Sequence, residues 1–396
     1  MMRQRTDILI SGGGVAGLTA AAAFGAAGFH VTIVDPAPPI TEENAEGADL
    51  RTTAFLQPAQ GFLDAAGLWE RLAPHATPLQ IMRIVDAAAD PVVTRDFDAA
   101  DISDRPFGWN LPNWLLRREM VARLAELPNV DFRPGTGFAR MVPRTSEALV
   151  TLSDSSQLAA RLIIGADGRN SPVRAACGIG VKTMRYGQKA ITFAVTHGAP
   201  HDNVSTEIHQ CGGPFTLVPL PDHDGLPCSA VVWMDHGPEI TRLAALPEAE
   251  FAAAASARSA YHYGLLTPVS RRMVWPIISQ IADAITALRT ALVAEAAHVM
   301  PPIGAQGLNM SLKDLACLLK LAQAHPDDLG SPAILDRYAR QRHPDIRLRV
   351  AGIDALNRAS IAGSPLAQAL RGRGIAALYG FAPVRRGLMQ MGLGAS

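Results

Sequence analysis

Residues 7–35 read DILISGGGVAGLTAAAAFGAAGFHVTIVD, and this stretch decides the fold of the chain. The apolar run at 7–11 is typical of a short buried strand, the alanine-rich run at 14–27 of a helix, and the run at 30–35 of a second strand. A strand, a helix and a strand in this order form a βαβ unit. Because such units join parallel strands, this opening predicts a parallel sheet in an α/β protein.

A glycine-rich turn joins the first predicted strand to the helix, with the pattern G-x-G-x-x-G at Gly12, Gly14 and Gly17. The first glycine permits a tight turn, the second removes a Cβ that would block a pyrophosphate, and the third lets helix and strand pack closely. The helix start offers free N–H groups to phosphate oxygens. Asp35, at the end of the second strand, can bind a ribose hydroxyl pair. These features predict a dinucleotide site; the alternative is a purely structural glycine turn.

The composition excludes several classes of protein. The chain has 396 residues, of which 48% are hydrophobic and 18% charged, so it is neither intrinsically disordered nor a charged coiled coil. Its 36 basic and 36 acidic residues cancel, which leaves no electrostatic footprint for general nucleic-acid binding. The aspartates within residues 86–104 lack His or Cys at ligand spacing. We therefore expect no metal site there, but a solvated loop or an edge strand.

The cysteines and the apolar N-terminus bear on the cellular compartment. Four scattered cysteines without a C-x-x-C pair favour a reducing cytosol, although Cys211 and Cys228 could face each other on neighbouring strands as a disulfide. Residues 8–34 superficially resemble a signal peptide, but the glycine cluster and Asp35 argue against that interpretation. No uninterrupted apolar run is long enough for a membrane-spanning helix. The sequence therefore predicts a cytoplasmic protein.

The pattern of the chain changes between residues 181 and 280. Short β-like runs such as AITFAVTH, PFTLVPL and SAVVWMD alternate there with turn signals, which predicts an antiparallel sheet and hence a second domain inserted in the first. Residues 285–295 then resemble another strand, and a long helix is predicted for 307–324. The tail from 332 to 396 is expected to be helical with breaks at Gly and Pro.

Two further segments combine a strand end or irregular loop with a helix start. Residues 165–174, GADGRNSPVR, bring Asp167 to a position where ligands of α/β proteins bind, although Asp167 or Ser171 could instead cap the following helix. Residues 295–309, EAAHVMPPIGAQGLN, bring an irregular backbone to the start of a predicted helix. Such a helix end can stabilise a negative charge through its dipole and its free amides.

These three motifs together resemble those of class A FAD-dependent aromatic monooxygenases, most closely the ubiquinone-biosynthesis hydroxylase family. The resemblance extends over nearly the whole chain. It implies an α/β, Rossmann-like FAD-binding domain with an inserted, mainly antiparallel β-sheet substrate domain and a helical C-terminal tail. The implied bounds are 1–80 with 110–180 and 285–350 for the FAD-binding domain, 81–109 and 181–284 for the substrate-binding domain, and 351–396 for the tail.

The resemblance also implies which residues bind the cofactor. The FAD contacts would come from Gly12, Gly14, Val15, Ala16, Gly17, Asp35, Arg51, Arg117, Asp167, Glu295, Pro302, Gly304, Gly307, Leu308 and Asn309. One departure stands out, because the third motif of the family usually begins Gly-Asp, whereas this chain has Ala294-Glu295. Glu295 would take the place of the aspartate that contacts the ribityl chain. No metal and no catalytic side chain is assigned.

The implied activity is hydroxylation of an aromatic ring with NAD(P)H and O₂ through a flavin hydroperoxide. The substrate would be a polyprenylated phenol intermediate of ubiquinone biosynthesis. The alternatives are a flavin oxidoreductase of the same fold that inserts no oxygen, and a non-catalytic scaffold subunit of a biosynthetic complex. From the inserted sheet, His197, His209 and Tyr261 could reach a phenol, but we expect ordinary structural roles for them and for His298.

The expected partners follow from the tail and from the resemblance. Residues 355–396 contain five arginines, no Asp, Glu or Lys, and many apolar side chains. Such a tail could bind an anionic membrane surface and collect a lipid-tailed substrate, or it could be a helix packed on the core. The expected location is therefore the cytoplasm, with peripheral contact to the inner face of the membrane or to a multi-enzyme ubiquinone-synthesis complex. No nucleic acid is expected, and no oligomeric state is predicted.

Overall fold

The computed structural model describes residues 4–87, 92–210, 212–361 and 389. Its strands are β1 (Gln4–Ser11), β2 (Val31–Asp35), β3 (Thr52–Leu56), β4 (Thr77–Leu79), β5 (Ile81–Asp86), β6 (Val93–Asp98), β7 (Gly108–Pro112), β8 (Val130–Pro134), β9 (Phe138–Pro143), β10 (Ala148–Leu152), β11 (Gln157–Gly165), β12 (Val181–Thr196), β13 (Val204–His209), β14 (Pro214–His223), β15 (Leu226–His236), β16 (Thr267–Pro268), β17 (Met273–Ala282), β18 (Thr286–Ala287), β19 (Thr290–Leu292) and β20 (His298–Val299). Its helices are α1 (Val15–Ala26), α2 (Gln57–Ala65), α3 (Trp69–Leu72), α4 (Asn113–Ala125), α5 (Pro172–Ala176), α6 (Gly237–Ala244), α7 (Glu248–Arg258), α8 (Gln306–Ala324) and α9 (Pro332–Ile361). Short 3-10 turns lie at Ala73–His75, Ala99–Asp101, Ala294–Ala296 and Pro326–Asp328.

The first sheet contains the predicted strand–helix–strand opening. β19, β11, β1, β2 and β8 lie side by side in that order, and each neighbouring pair is parallel. Most side chains of β1 and β2 are buried, as expected for strands covered on both faces of a sheet. The prediction of an α/β protein with a parallel sheet is confirmed.

α1 packs against this sheet through small side chains. Every residue from 16 to 25 is buried, and most of them are alanine or glycine. Because these side chains project little from the backbone, the helix lies close to the strands. α4 and α8 pack beside α1. The close approach keeps the start of α1 directly above the end of β1.

The second sheet has nine strands. β20, β17, β12, β15, β14, β13, β5 and β6 follow one another, and β16 pairs with β12. All strand pairs in it are antiparallel except β13 with β5. One face carries Ile191, Phe215 and Trp233, which form an apolar core with Phe251 of α7. α6 and α7 therefore cover this face.

A three-stranded sheet, β3–β7–β4, contacts β14 of the second sheet through β4 and β7, and α8 through β3. It contributes to an apolar group that we call the bridging cluster. The bridging cluster consists of Leu56, Leu79, Ala99, Phe107 and Met389. Met82 of β5 and Val218 of β14 pack against it. The face of the second sheet opposite α6 and α7 is therefore turned toward the bridging cluster.

Some expectations differ from the structure. The strand-like run at 285–295 forms two short strands, β18 and β19, because Arg289 between them reverses the chain at a φ of 61°. The first part of the tail is one helix, α9, which continues through Pro344 although that residue cannot donate a backbone hydrogen bond. Cys228 is a buried free thiol, and Cys211 lies outside the described residues, so the suggested disulfide is not observed.

Two further expectations concern the acidic segment, residues 86–104, and the C-terminal tail. β6 pairs with β5 at the outer edge of the second sheet, in agreement with the edge strand expected for residues 86–104. Residues 88–91 and most of the tail, 362–388 and 390–396, lie outside the described residues. In the part of the chain that the structure describes, no helix is both long and apolar enough to span a membrane.

Candidate functional site

The three motifs meet at one edge of the first sheet. The backbone ladder holds them there, since the Gly12 amide donates to Val34 O (2.8 Å) and the Ala166 amide to Ser11 O (2.8 Å). The Val293 amide donates to Gly165 O (3.0 Å). The carboxyl ends of β2, β1, β11 and β19 therefore lie side by side, at the edge where α/β sheets bind their ligands.

The glycine turn is tight and leaves an open space above the helix. Gly12 has a φ of +116°, and a Cβ there would lie 2.3 Å from Ala166 O; a Cβ on Gly17 would lie 1.9 Å from Gly12 O. A Cβ on Gly14 would meet no atom within 4 Å. α1 has no side-chain cap and no acidic residue in its first turn. Its free amides at Val15 and Ala16 can therefore receive an anion.

Asp35 is held in a fixed orientation beside the glycine turn. Its Oδ2 accepts a hydrogen bond from the Gly13 amide (2.6 Å), and its Oδ1 accepts one from the Ala37 amide (2.9 Å). Each carboxylate oxygen has a second lone pair in addition to these bonds. Asp35 can therefore stay fixed by the backbone and still accept bonds from a ligand hydroxyl pair.

Asp167 is buried with one unused oxygen. Its Oδ2 accepts hydrogen bonds from the Ser11 hydroxyl (3.2 Å) and the Val173 amide (3.1 Å), whereas its Oδ1 is buried without a partner. Burial raises the pKa of Asp167. The Ser171 hydroxyl accepts from the Arg174 amide and caps α5. Both residues named in the capping alternative therefore accept from first-turn amides of α5, and the Oδ1 of Asp167 is left without a hydrogen-bond partner in the protein.

Asp49 joins the two predicted arginines, and the sequence analysis missed it. Arg51 donates two hydrogen bonds to Asp49 (2.7 and 2.8 Å), and Arg117 approaches the same carboxylate at 3.6 Å. Although burial opposes it, the bonds and charge of Arg51 hold the pKa of Asp49 below its usual range. The guanidinium of Arg51 also lies 4.1 Å from the ring centre of Trp275 in the second sheet. In the sequence, the position of Asp49 two residues before Arg51 could have indicated this ion pair.

The turn that contains Glu295 is strained at the residue before it. Ala294 has a φ of +53°, a left-handed conformation that favours glycine. The resembling family has glycine at this position, and this chain keeps the left-handed backbone conformation there although the residue is alanine. Glu295 itself is exposed, and its charge, together with that of Asp49, raises the pKa of Arg51 against the effect of burial.

The rest of the third motif leads to the start of α8. Gly304 and Ala305 both have positive φ values, and α8 begins at Gln306 without a side-chain cap. Pro302 and Gly307 are exposed. The amides of the first turn, including that of Leu308, are therefore free for an anionic ligand.

Asn309 is already engaged by a neighbouring strand. Its Oδ1 accepts from the Leu56 amide (2.9 Å), and its Nδ2 donates to Ala54 O (2.7 Å). The Asn309 side chain thus fastens α8 to β3, and only its backbone is left for a ligand.

A buried cluster of three polar side chains joins the same motif to α8 and α9. His298 contacts Asp314 (Nε2 to Oδ2, 2.7 Å), and Arg342 contacts the other oxygen of Asp314 (2.6 Å). All three side chains are buried and bonded to one another. The structural role expected for His298 agrees with this geometry. Arg342 belongs to a segment, Arg340-Gln341-Arg342, that fits the family resemblance, whereas Asp314 gave no recognisable signal in the sequence.

The polar candidates of the second sheet differ in their surroundings. Both ring nitrogens of His197 are bonded, to Ala199 O (2.8 Å) and the Ser229 hydroxyl (2.9 Å), and its ring stacks on Tyr263. Tyr261 is exposed in the turn that follows α7. His209 lies beside Glu207 on β13, with 2.8 Å between Nε2 and Oε1.

Comparisons with known proteins agree on the family. A family model described as "FAD binding domain" matches residues 5–351. The ubiquinone hydroxylase UbiL of Rhodospirillum rubrum is 35% identical over 394 residues, which cover 98% of this chain and 89% of that protein. The 3-demethoxyubiquinol 3-hydroxylase of Escherichia coli is 26% identical and is covered fully, as is this chain. The crystal structure of p-nitrophenol 4-monooxygenase PnpA from Pseudomonas putida superposes with a TM-score of 0.80 at 18% identity, covering 100% of this chain and 99% of that one.

Proposed function

Because this chain belongs to the family of FAD-dependent aromatic monooxygenases that includes the ubiquinone hydroxylases, we propose that it hydroxylates a polyprenylated phenol intermediate of ubiquinone biosynthesis. NAD(P)H would be the reductant and O₂ the oxygen source. The observation that carries the proposal is the similarity to a ubiquinone hydroxylase over nearly the full length of both proteins. The junction of three motifs at one sheet edge supports it.

The residues at the sheet edge fit the phosphate and ribose parts of FAD. The open space at Gly14 and the uncapped start of α1 suit a pyrophosphate, which needs close backbone approach and free amides. Asp35 would bind the adenosine ribose. Arg51 and Arg117, held together by Asp49, would contact the phosphate or ribityl part. The unpaired Oδ1 of Asp167 is an acceptor for a further donor on the cofactor or on the nicotinamide substrate.

The 295–309 segment would lie along the ring system. In this proposal Glu295 accepts from a ribityl hydroxyl, Pro302 and Gly304 shape the loop, and the amides of Gly307, Leu308 and Asn309 face the pyrimidine edge. The uncapped N-terminus of α8 supports this assignment, since its dipole stabilises negative charge. Bound FAD supplies the redox chemistry, namely hydride acceptance from NAD(P)H and activation of O₂. The protein orients the reactants and excludes water.

The second sheet is proposed as the substrate domain. On its face opposite α6 and α7, β15 carries Ala230, Val232 and Met234, and β14 carries Val218. Apolar side chains suit a phenol with an isoprenoid tail. We also propose that the arginine-rich tail contacts the inner face of an anionic membrane, from which such a substrate would be taken.

Isotope labelling tests the proposed function. The protein is reconstituted with FAD, checked for a flavin spectrum, and supplied with 2-prenylphenol, NADH or NADPH, and ¹⁸O₂. We expect a dihydroxylated product with one labelled oxygen. Consumption of NAD(P)H without label in the product would identify an oxidoreductase that inserts no oxygen. Failure to bind FAD would favour the scaffold alternative.

A further inference from the structure

Glu207 and His209 stand on the face of the second sheet that is turned toward the bridging cluster. Side chains alternate along a strand, and Ile208 between them belongs to the core with α6 and α7. Glu207 and His209 therefore project to the opposite face. Across the sheet, Thr216 of β14 is opposite Glu207, and Asp86 of β5 is opposite His209.

The two side chains form a buried dyad in which one ring nitrogen of the histidine has no hydrogen-bond partner. Both residues are 7% exposed. The Nε2 of His209 lies 2.8 Å from Oε1 of Glu207, while its Nδ1 is buried without any hydrogen-bond partner. A buried polar atom without a partner is unfavourable, because it has lost its bond to water and gained none in the protein. Such atoms occur at catalytic sites and at places where a water molecule, an ion or a ligand completes the bond.

Glu207 is connected to the proposed flavin site by contacts that begin with one diagonal step across the sheet. Val218 follows two residues after Thr216 on β14 and is on the same face, so it is the diagonal neighbour of Glu207, about 7–8 Å away. Val218 packs against the bridging cluster, which contains Leu56. The amide of Leu56 is bonded by the Asn309 side chain of the 295–309 segment. Val218 and the bridging cluster therefore connect Glu207 to this segment, and His209 lies two residues farther along the same face of β13.

We propose that His209, oriented by Glu207, is the base that takes the proton of the substrate phenol; this assignment rests on the proposed function. The phenol O–H bond breaks, and its proton forms an N–H bond with the Nδ1 lone pair. The electron pair left on oxygen makes the ring carbons ortho and para to it more nucleophilic toward an electrophilic oxygen atom. The carboxylate of Glu207 accepts the Nε2 hydrogen and balances the imidazolium charge, as the carboxylate does in other His dyads.

The test compares H209Q with the parent protein. Glutamine keeps an N–H for Glu207 but cannot take a proton. Both proteins are loaded with FAD, and 2-prenylphenol is bound under anaerobic conditions without NAD(P)H, so that the phenolate absorbance of the bound ligand reports its ionisation. We expect phenolate in the parent and neutral phenol in H209Q. With NAD(P)H and O₂, hydroxylation by H209Q should fall at least about 100-fold, with hydrogen peroxide formed instead.

H197Q is the matched control, because His197 is a buried histidine of the same domain whose two ring nitrogens are already bonded within the protein. It should form phenolate and product as the parent does, and FAD titration should give equal affinity for all three proteins. The absorbance needs no turnover, so a parent that ionises the phenol without hydroxylating it refutes the proposed function and supports the dyad. Equal phenolate in H209Q and the parent, or none in the parent, overturns the inference.

Discussion

Gly14 and Gly17 are separated by one turn of α1, yet an added methyl group meets different surroundings at each. At Gly14 the backbone is extended and a Cβ would meet no protein atom, whereas at Gly17 it would collide with Gly12 O. We therefore expect Gly14→Ala to leave the stability of the FAD-free protein unchanged and to weaken FAD binding strongly. Thermal unfolding without FAD and fluorescence titration with FAD measure the two effects.

Gly17→Ala is the control for the same substitution in the same turn. It should destabilise the FAD-free protein by about 1–3 kcal/mol, because the backbone must shift to relieve the overlap. If Gly14→Ala binds FAD as tightly as the parent, the pyrophosphate does not lie above that glycine.

Ala294 is the residue at which this chain departs from the Gly-Asp pair of its family. A left-handed conformation costs an alanine about 1–2 kcal/mol. Glycine avoids this cost, but its greater freedom in the unfolded chain offsets about 0.4–1 kcal/mol of the stability gained. Ala294→Gly should therefore raise the free energy of unfolding by about 0.5–1 kcal/mol in denaturant titrations. Ala296→Gly, in the same turn but without a positive φ, should lower it. A loss of stability in Ala294→Gly would show that the strain is absent.

At the scale of elements, α8 and α9 are joined by a chain of ion pairs that passes from Asp314 through Arg342 to Asp345. Although burial opposes it, Arg342, Arg349 and Lys313 lower the pKa of Asp345 to about 2. A carboxyl group whose pKa falls on folding contributes stability above its unfolded pKa of about 4 and loses it as the pH falls toward about 2. Asp345→Asn should therefore be less stable than the parent at neutral pH, with the difference shrinking over that range.

Asp336→Asn is the matched control, because Asp336 is exposed on the same helix. It should change the free energy of unfolding little at any pH. A difference between Asp345→Asn and the parent that stays constant down to a pH of about 2 would mean that the lost contact is not electrostatic.

At the scale of the whole molecule, the proposal of membrane contact concerns the arginine-rich tail. Each arginine near an anionic surface contributes about 1 kcal/mol, or roughly a fivefold change in binding. The double variant Arg385→Gln and Arg386→Gln should therefore bind vesicles that contain anionic lipid about 25-fold more weakly than the parent. Flotation with and without anionic lipid measures this.

The control removes two exposed arginines of α9, Arg340 and Arg347, and so makes the same change in net charge. Flotation that falls equally in both double variants would indicate a general charge effect and would remove the tail from the proposal. Parent protein that does not float at all would do the same.

Local features were predictable because local chemistry decides them. The pattern Gly12, Gly14 and Gly17 after an apolar run requires a tight turn between strand and helix whatever the rest of the chain does. The resemblance to a monooxygenase family, confirmed by the comparisons, rests on the order of such local motifs along the chain.

Partnerships between distant residues were decided only by the tertiary structure. Asp49 reaches Arg117, and Asp314 lies between His298 and Arg342, because strand order and helix packing bring them together. In the sequence, His197 and His209 cannot be told apart, because both are histidines in β-like runs. One has both nitrogens bonded and the other has one free, since burial and neighbours depend on which face of the sheet each side chain takes and on what covers that face.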